Sequence, residues 1–242
     1  MDRRIPPSRQ PLRLVQSATT PLKSHDTIVA VLFAGRIARL LLPAAERAEL
    51  TPNQVTIGSL VVTCLAALLV AFGHRYAWLA AALLIQVGFV LDCLDGQLAR
   101  ATGRESDFGR YLDSLTDLVK VFVLICATTV ALLRHGSGTV ACALGALAFF
   151  GYVLCELHTQ LVRQLPQRSQ EEYERQAAPW KSRLAIGGQK IDLAFAIGEV
   201  LMTLTLALVF GRAAMGLIVV AVLMPIQLTS YVLRFWRHRY SR

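Results

Sequence analysis

Charged residues are scarce in this sequence. Asp, Glu, Lys and Arg make up 17% of its 242 residues and apolar residues make up 55%, whereas soluble domains average about 25% charged and about 45–50% apolar residues. One soluble core cannot hide that much apolar surface, and the remainder would face water. The composition therefore all but excludes a soluble globular enzyme. It equally excludes a disordered chain, which needs low hydrophobicity.

Closely spaced cysteine pairs and internal repeats are also lacking. The five cysteines lie within apolar segments, and none pairs with another at the spacing of zinc ligands. We interpret them as small buried apolar residues. Because no clear internal repeat is visible, an inverted-repeat transporter gains no support.

The apolar residues are concentrated in long segments. Segments 51–73, 76–91, 136–155 and 213–233 contain no charged residue. A bilayer-spanning helix needs about 20 mainly apolar residues. The predicted fold class is therefore all-α and integral to the membrane. Six transmembrane helices are expected near residues 52–73, 76–102, 107–133, 137–162, 191–211 and 213–235.

Two segments precede the first predicted span. Residues 1–25 are rich in proline and arginine, which predicts a flexible basic tail near anionic lipid head groups. Residues 26–49 mix apolar and charged side chains, which predicts an amphipathic helix in the membrane interface. A lid over a site is the alternative interpretation of that helix. Residues 50–242 are then the six-span membrane domain.

Basic residues are distributed unevenly along the predicted topology. All but three of the 25 Lys and Arg residues fall on the side of the two termini and of the turn between the second and third spans. The exceptions are Arg75, Arg134 and Arg212. The positive-inside rule places the crowded side in the cytoplasm. The rule also accounts for the net charge of +9, so we predict a multi-pass protein of the cell membrane with no nucleic-acid partner.

Four aspartates interrupt the second and third predicted spans. Asp92 and Asp95 are three residues apart, and Asp113 and Asp117 are four apart, so each pair shares one face of its helix. The short turn between these spans makes them antiparallel neighbours, and both pairs can face one gap. Clustered carboxylates in a membrane need a cation, and hard oxygen ligands suit Mg²⁺ or Mn²⁺. Two alternatives remain open: a network of helix–helix ion pairs, and a proton or cation relay in a transporter.

Small residues and an arginine accompany the aspartates. Gly96, Ala99 and Gly109 allow a backbone or a flat ligand to approach closely, although tight helix packing would also use them. Arg100 adds a cation whose planar guanidinium can hold a phosphate with two hydrogen bonds.

These residues together fill the pattern D-x2-D-G-x2-A-R-x8-G-x3-D-x3-D at all eight fixed positions. The pattern resembles the signature of the CDP-alcohol phosphotransferase family, also called CDP-alcohol phosphatidyltransferases. Thr51, Pro52 and Asn53 also resemble the T-P-N that opens the first span in this family. The resemblance implies a six-span integral membrane enzyme, usually a homodimer, with a cytoplasm-facing active site.

The resemblance further implies roles for individual residues. Asp92, Asp95 and Asp113 would bind divalent metal, two Mg²⁺ or Mn²⁺ ions in all. Asp117 would contact metal and act as the general base. The residues implied to contact the CDP group are Asn53, Asp92, Gly96, Ala99, Arg100 and Gly109.

The implied function is a phosphotransferase of phospholipid biosynthesis. It would move the phosphatidyl group from a CDP-linked donor, expected to be CDP-diacylglycerol, to the hydroxyl of a small polar alcohol such as inositol phosphate or glycerol phosphate, with release of CMP. Lys181 and Arg183 are candidates to hold a phosphate on the acceptor, with contact to anionic lipids as the alternative. A soluble CDP-alcohol donor with a lipid acceptor is a second possibility. In another class, a cation- or proton-coupled transporter would use the same aspartates.

Overall fold

The computed structural model describes residues 33–136, 138–166, 185–186, 189–190 and 197–240. Its helices are α1 (Gly35–Arg47), α2 (Pro52–Ala71), α3 (Arg75–Thr102), α4 (Asp107–Arg134), α5 (Gly138–Arg163), α6 (Ile197–Val209) and α7 (Ala213–Tyr240). A two-residue antiparallel pair, β1 (Ala185–Ile186) with β2 (Gln189–Lys190), lies between α5 and α6 in sequence. The fold is helical, as the sequence predicts, with this short strand pair as an addition.

Five of the helices are long and apolar enough to cross a membrane: α2, α3, α4, α5 and α7. α6 is also apolar but has 13 described residues, fewer than a span needs. The sequence places the fifth span at 191–211, and residues 191–196 lie outside the described part of the chain. The protein is therefore a multi-pass membrane protein, and the described part of the chain contains five candidate spans and one shorter apolar helix.

Local signals in the sequence set the helix boundaries around the second and third spans. α2 begins with a capping box, in which the Gln54 backbone N–H donates to Thr51 Oγ1 at 3.3 Å and the Thr51 backbone N–H donates to Gln54 Oε1 at 2.9 Å. α3 ends at Gly103, whose φ of +64° suits glycine. α4 begins at Ser106, whose Oγ accepts from the backbone N–H of Gly109 at 3.0 Å. The resulting turn is short, so α3 and α4 run antiparallel.

The core forms where α2, α3 and α4 pack together. α2 packs most extensively against α3 and α4, while α1 and α6 pack on α3, and α5 packs on α7. Small residues permit the close approach of helices. A Cβ added at Gly88 of α3 would lie 2.6 Å from Thr63 Oγ1 of α2, and one added at Gly151 of α5 would lie 2.8 Å from Met224 Cβ of α7. Apolar side chains on the outer faces, such as Leu68 and Leu83, are more than half exposed, as lipid-facing positions require.

The predicted amphipathic helix corresponds to α1. Its buried side chains, including Ala38 and Leu42, pack toward α3, and Gln97 Nε2 of α3 donates to the Gly35 carbonyl at 2.9 Å. Leu40 and Arg36 lie on the exposed side. The described helix begins at Gly35; residues 26–32 and the predicted tail at 1–25 lie outside the described part of the chain.

The predicted topology places three basic residues on the side opposite to all the others, and two of these three cap helix ends. Arg134 Nη1 donates to the Ala71 carbonyl at 3.0 Å, at the end of α2. Arg75 Nη1 donates to the Leu208 carbonyl at 3.1 Å, at the end of α6. The last carbonyls of a helix have no partner within it and carry the negative end of its dipole. These arginines are therefore accounted for by helix capping.

Candidate metal and nucleotide site

The four aspartates lie in the last three turns of α3 and the first three turns of α4. The short turn between these helices brings the two pairs together. One carboxylate oxygen from each of Asp92, Asp95 and Asp113 lies within 4.8 Å of the others. Asp92 and Asp113 are half-buried, and Asp95 is buried. Three convergent carboxylates at membrane depth form a group that can hold a hard divalent cation.

Asp95 is held by a residue of α2 that sequence reasoning missed. The hydroxyl of Thr56, which is buried, donates to Asp95 Oδ2 at 2.5 Å. The same Oγ1 lies 3.1 Å from the Pro52 carbonyl. Since a hydroxyl has one proton to donate, the shorter contact to the charged carboxylate is the stronger of the two. One oxygen of Asp95 is thereby fixed, which orients the other.

Lys120 is the second residue that sequence reasoning missed. Its Nζ donates to Asp92 of α3 and, at 3.2 Å, to Asp117 of α4, and the residue is 1% exposed. The count of Lys and Arg residues on each side of the membrane groups Lys120 with the turn between the second and third predicted spans. The sequence feature that could have identified Lys120 as part of the site is its spacing. Lys120 follows Asp117 by three residues, which places both on one helix face. A lysine inside a span also needs a partner there.

Asp117 is linked to the other aspartates through this lysine. Its Oδ1 accepts from Lys120 Nζ, and the same Nζ reaches Asp92. Asp117 lies one turn beyond Asp113 on α4, on the same face. Asp117 is thus adjacent to the trio of carboxylates and shares the cation of Lys120 with Asp92.

The predicted nucleotide residues lie at the end of this helix pair that adjoins the α3–α4 turn. A Cβ added at Gly96 would lie 3.4 Å from Arg100 Nη1, so the guanidinium lies against the glycine that follows Asp95. The buried Nε of Arg100 donates to no acceptor within the described residues. Ala99 is half-buried beside it. This arrangement leaves one donor of Arg100 without an acceptor among the described residues.

Asn53 and Gly109 meet across the starts of α2 and α4. A Cβ added at Gly109 would lie 3.1 Å from Ser106 Oγ and 3.5 Å from Asn53 Oδ1. The absence of a side chain at Gly109 therefore leaves room between the two helix ends. The structure brings Asn53, Gly96, Ala99, Arg100 and Gly109 to the same end of α2, α3 and α4 as the aspartates.

The predicted acceptor residues Lys181 and Arg183 lie outside the described part of the chain. Within the described part, polar side chains of α5 approach α4 beside the aspartates. Gln160 Nε2 donates to Glu156 Oε1 at 2.6 Å and lies 3.4 Å from Ser114 Oγ, next to Asp113 in sequence. On the same helix, the His158 ring stacks on Tyr231 of α7, with centroids 5.0 Å apart. α5 thus presents hydrogen-bonding groups next to the site.

Comparison with known proteins identifies several similar sequences. The chain is 44% identical over 68 residues to archaetidylinositol phosphate synthase of Pyrococcus horikoshii, covering 28% of this chain and 35% of that protein. It is 31% identical over 105 residues to CDP-diacylglycerol–serine O-phosphatidyltransferase of Helicobacter pylori, covering 43% of each. The chain thus spans less than half the length of these curated relatives.

Solved structures and a family model give broader matches. Phosphatidylinositol phosphate synthase of Mycobacterium tuberculosis, solved with CDP-DAG bound, superposes with a TM-score of 0.50 at 21% identity, covering 84% of this chain and 94% of that one. The same enzyme solved with manganese and citrate gives a TM-score of 0.50 at 20% identity. At such identity the likeness concerns the fold. The model of the CDP-alcohol phosphatidyltransferase family matches residues 49–229, and the chain therefore belongs to this family.

Proposed function

We propose that this protein transfers a phosphatidyl group from a CDP-linked lipid, CDP-diacylglycerol, to the hydroxyl of a small polar alcohol and releases CMP. The observation that carries the proposal is the convergence of Asp92, Asp95 and Asp113 beside Gly96 and Arg100. Family membership supports the reaction type. The names of the relatives support a lipid donor, and the bound CDP-DAG of the structural neighbour supports its identity.

The residues present fit a divalent metal. The oxygens of Asp92, Asp95 and Asp113 are hard ligands within 4.8 Å of one another, a donor set that suits Mg²⁺ or Mn²⁺. When bound, the metal would neutralise diphosphate charge and stabilise the departing CMP oxygen. The resemblance adds Asp117 as a further ligand and implies a second divalent ion in this site.

The protein's own side chains would bind the donor, orient it and accept the proton. The guanidinium of Arg100 would bind the diphosphate. Gly96, Ala99 and Gly109 would leave room for the nucleotide, and Asn53 would contact it. The acceptor oxygen bonds to the β-phosphorus of the donor. The bond from that phosphorus to the bridging oxygen breaks, and CMP leaves with the electron pair.

Asp117 would take the proton of the acceptor hydroxyl. It lies one turn from Asp113, and general-base catalysis requires such a carboxylate within hydrogen-bond reach of the hydroxyl. The ammonium of Lys120, which donates to Asp117 Oδ1, fixes one of its oxygens and leaves the other for the proton.

The acceptor would enter from the side of α5. Ser114 and Gln160 offer hydrogen-bonding groups there, and Lys181 and Arg183 of the α5–α6 connection would hold a phosphate on the acceptor. An acceptor that carries a phosphate, such as inositol phosphate or glycerol phosphate, is the one these basic residues favour.

The proposed arrangement in the membrane has six spans, the fifth of them near residues 191–211. Residues 1–25 form a basic tail, 26–49 an interfacial helix that includes α1, and 50–242 the catalytic domain. The basic residues place both termini and the aspartates at the cytoplasmic face of the cell membrane. There the lipid tails of the donor stay in the bilayer while its head group reaches the site. A homodimer is the expected assembly.

The proposed function is tested by CMP release from purified protein given CDP-diacylglycerol and Mg²⁺ or Mn²⁺. Inositol phosphate, glycerol phosphate, serine, inositol, ethanolamine and choline are offered one at a time. We expect release with one phosphorylated acceptor. If no acceptor supports CMP release, but CDP and Mn²⁺ stabilise the protein in a thermal melt, the result would point to a soluble CDP-alcohol donor or another acceptor. The absence of both CMP release and stabilisation by CDP would contradict the proposal and favour a transporter.

Thr56 provides a test of the metal site that does not depend on turnover. Replacing Thr56 with valine removes the hydroxyl that donates to Asp95, and we expect the affinity for Mn²⁺ to fall by about 10–100-fold, as for other residues that orient metal ligands. Isothermal titration of the purified protein with Mn²⁺ measures this change. Thr56→Ser, which keeps the hydroxyl, is the matched control. Unchanged Mn²⁺ affinity in Thr56→Val would contradict an orienting role for Thr56.

A further inference from the structure

Lys120 is buried at the junction of α3 and α4. Its Nζ pairs with Asp92 of α3 and Asp117 of α4, so one ammonium links the two helices that carry the aspartates. It lies one turn further along α4 than Asp117. A lysine at this depth is costly to bury without such partners, and both ion pairs are nearly enclosed. The position of the ammonium among the aspartates is therefore fixed by packing and by charge.

Lys120 divides the four carboxylates into two overlapping sets. Asp92, Asp95 and Asp113 each contribute an oxygen to the group that can hold a cation. Asp92 and Asp117 contribute their Oδ1 atoms to Lys120. Asp92 belongs to both sets, because a carboxylate has two oxygens and can serve two cations. The part of the cluster between Asp92 and Asp117 already contains a cation.

A second divalent ion bridging Asp92 and Asp117 would compete with this ammonium. Mg²⁺ takes oxygen ligands at about 2.0–2.1 Å, and the Oδ1 atoms of both aspartates are already in contact with Lys120 Nζ. The two cations would lie close together in surroundings that screen charge poorly, and would repel each other strongly.

The balance of charge leads to the same conclusion. When all four are ionised, the aspartates carry four negative charges. One divalent ion, Lys120 and the guanidinium of Arg100 beside Gly96 carry four positive charges. A second divalent ion would leave a surplus of two positive charges in a partly buried site. The negative charge of a nucleoside diphosphate would offset this surplus.

We propose that Lys120 takes the place of a second divalent cation in the nucleotide-free protein, which therefore binds a single divalent ion through Asp92, Asp95 and Asp113. The inference rests on the proposed function for the metal site. It assigns a role to a residue outside the eight-position motif. The second ion that the resemblance implies would then bind only together with the diphosphate of the donor.

The test is the stoichiometry of Mn²⁺ binding to the purified full-length protein without nucleotide. Electron paramagnetic resonance of free Mn²⁺ during a titration counts the bound ions. We expect one ion per chain in the wild type and two in Lys120→Met, which keeps an unbranched apolar side chain and removes the charge. Arg104→Met is the matched control, since Arg104 is an exposed cation in the α3–α4 turn, and it is expected to bind one.

The outcomes separate this inference from the proposed function. Two ions bound to the wild type, or one ion bound to a folded Lys120→Met, would overturn the inference and leave the proposed function intact. A wild type that binds no Mn²⁺ would contradict the proposed metal site itself. If Lys120→Met does not fold, Lys120→Gln provides the neutral variant, because it keeps a hydrogen-bond donor without the charge. The number of Mn²⁺ ions bound per wild-type chain is decisive in either case.

Discussion

Replacing Asp113 with asparagine is expected to abolish CMP release while leaving a folded, membrane-inserted protein. The substitution keeps the shape of the side chain and removes one of the three carboxylates that converge within 4.8 Å. A metal that polarises a phosphoryl group contributes several kcal/mol to the transition state, and about 4 kcal/mol corresponds to roughly 10³-fold in rate. Without metal, the loss of one of four like charges lowers the repulsion within the cluster, so folding is not impaired.

The measurement is CMP release at saturating donor and acceptor, with membrane insertion and the thermal midpoint as checks of the fold. Asp107→Asn is the matched control. Asp107 lies in the first turn of the same helix, is exposed, and pairs with Arg110 at the surface, where an ion pair contributes about 0–1 kcal/mol. We expect that variant to retain wild-type turnover. Turnover by Asp113→Asn at the level of Asp107→Asn would rule out the assignment of Asp113 as a metal ligand.

The helices that carry the site could be predicted because their signals are local. Ser106 and Gly103 mark the ends of α4 and α3 through the chemistry of capping and of positive φ. The turn between them is short enough to impose antiparallel packing. Helical spacing then places Asp92 with Asp95, and Asp113 with Asp117. Each of these steps needs only a few neighbouring residues.

The contacts that hold the carboxylates could not be predicted in the same way. Thr56 is 39 residues from Asp95, and which face of α2 meets α3 depends on the packing of three helices. Lys120 is 28 residues from Asp92. In a sequence-based count it adds to the basic residues of a cytoplasmic turn, whereas it neutralises carboxylates within the helix pair. A charge total by side of the membrane does not distinguish these two environments.

The C-terminal end of α6 shows a related limit. Hydropathy predicts a span that ends at residue 211, whereas the helix ends at Val209, and its end is capped by Arg75 from α3. An apolar run sets only the length over which a helix is compatible with lipid. The helix end that is described here is determined by the positive φ of Gly211 and by this cap.

Replacing Asp117 with asparagine is expected to lower turnover by about 10²–10⁴-fold, the usual contribution of a general base, while changing the binding of CDP and Mn²⁺ by only a few-fold. An amide oxygen can still accept from Lys120, as Asp117 Oδ1 does, so the ammonium is expected to keep its place. The amide cannot take the acceptor proton, however, and the trio of carboxylates that holds the metal is unchanged.

The two quantities are measured separately for Asp117→Asn: kcat from CMP release, and CDP affinity from the shift in thermal midpoint with Mn²⁺ present. Asp113→Asn provides the contrast, because a lost metal ligand is expected to reduce both. If Asp117→Asn reduces CDP binding as strongly as turnover, the role of Asp117 is to bind metal or nucleotide, and it is not the general base. If turnover alone falls, the separation of roles within α4 is established: Asp113 binds the cation, and Asp117, fixed by Lys120, accepts the proton.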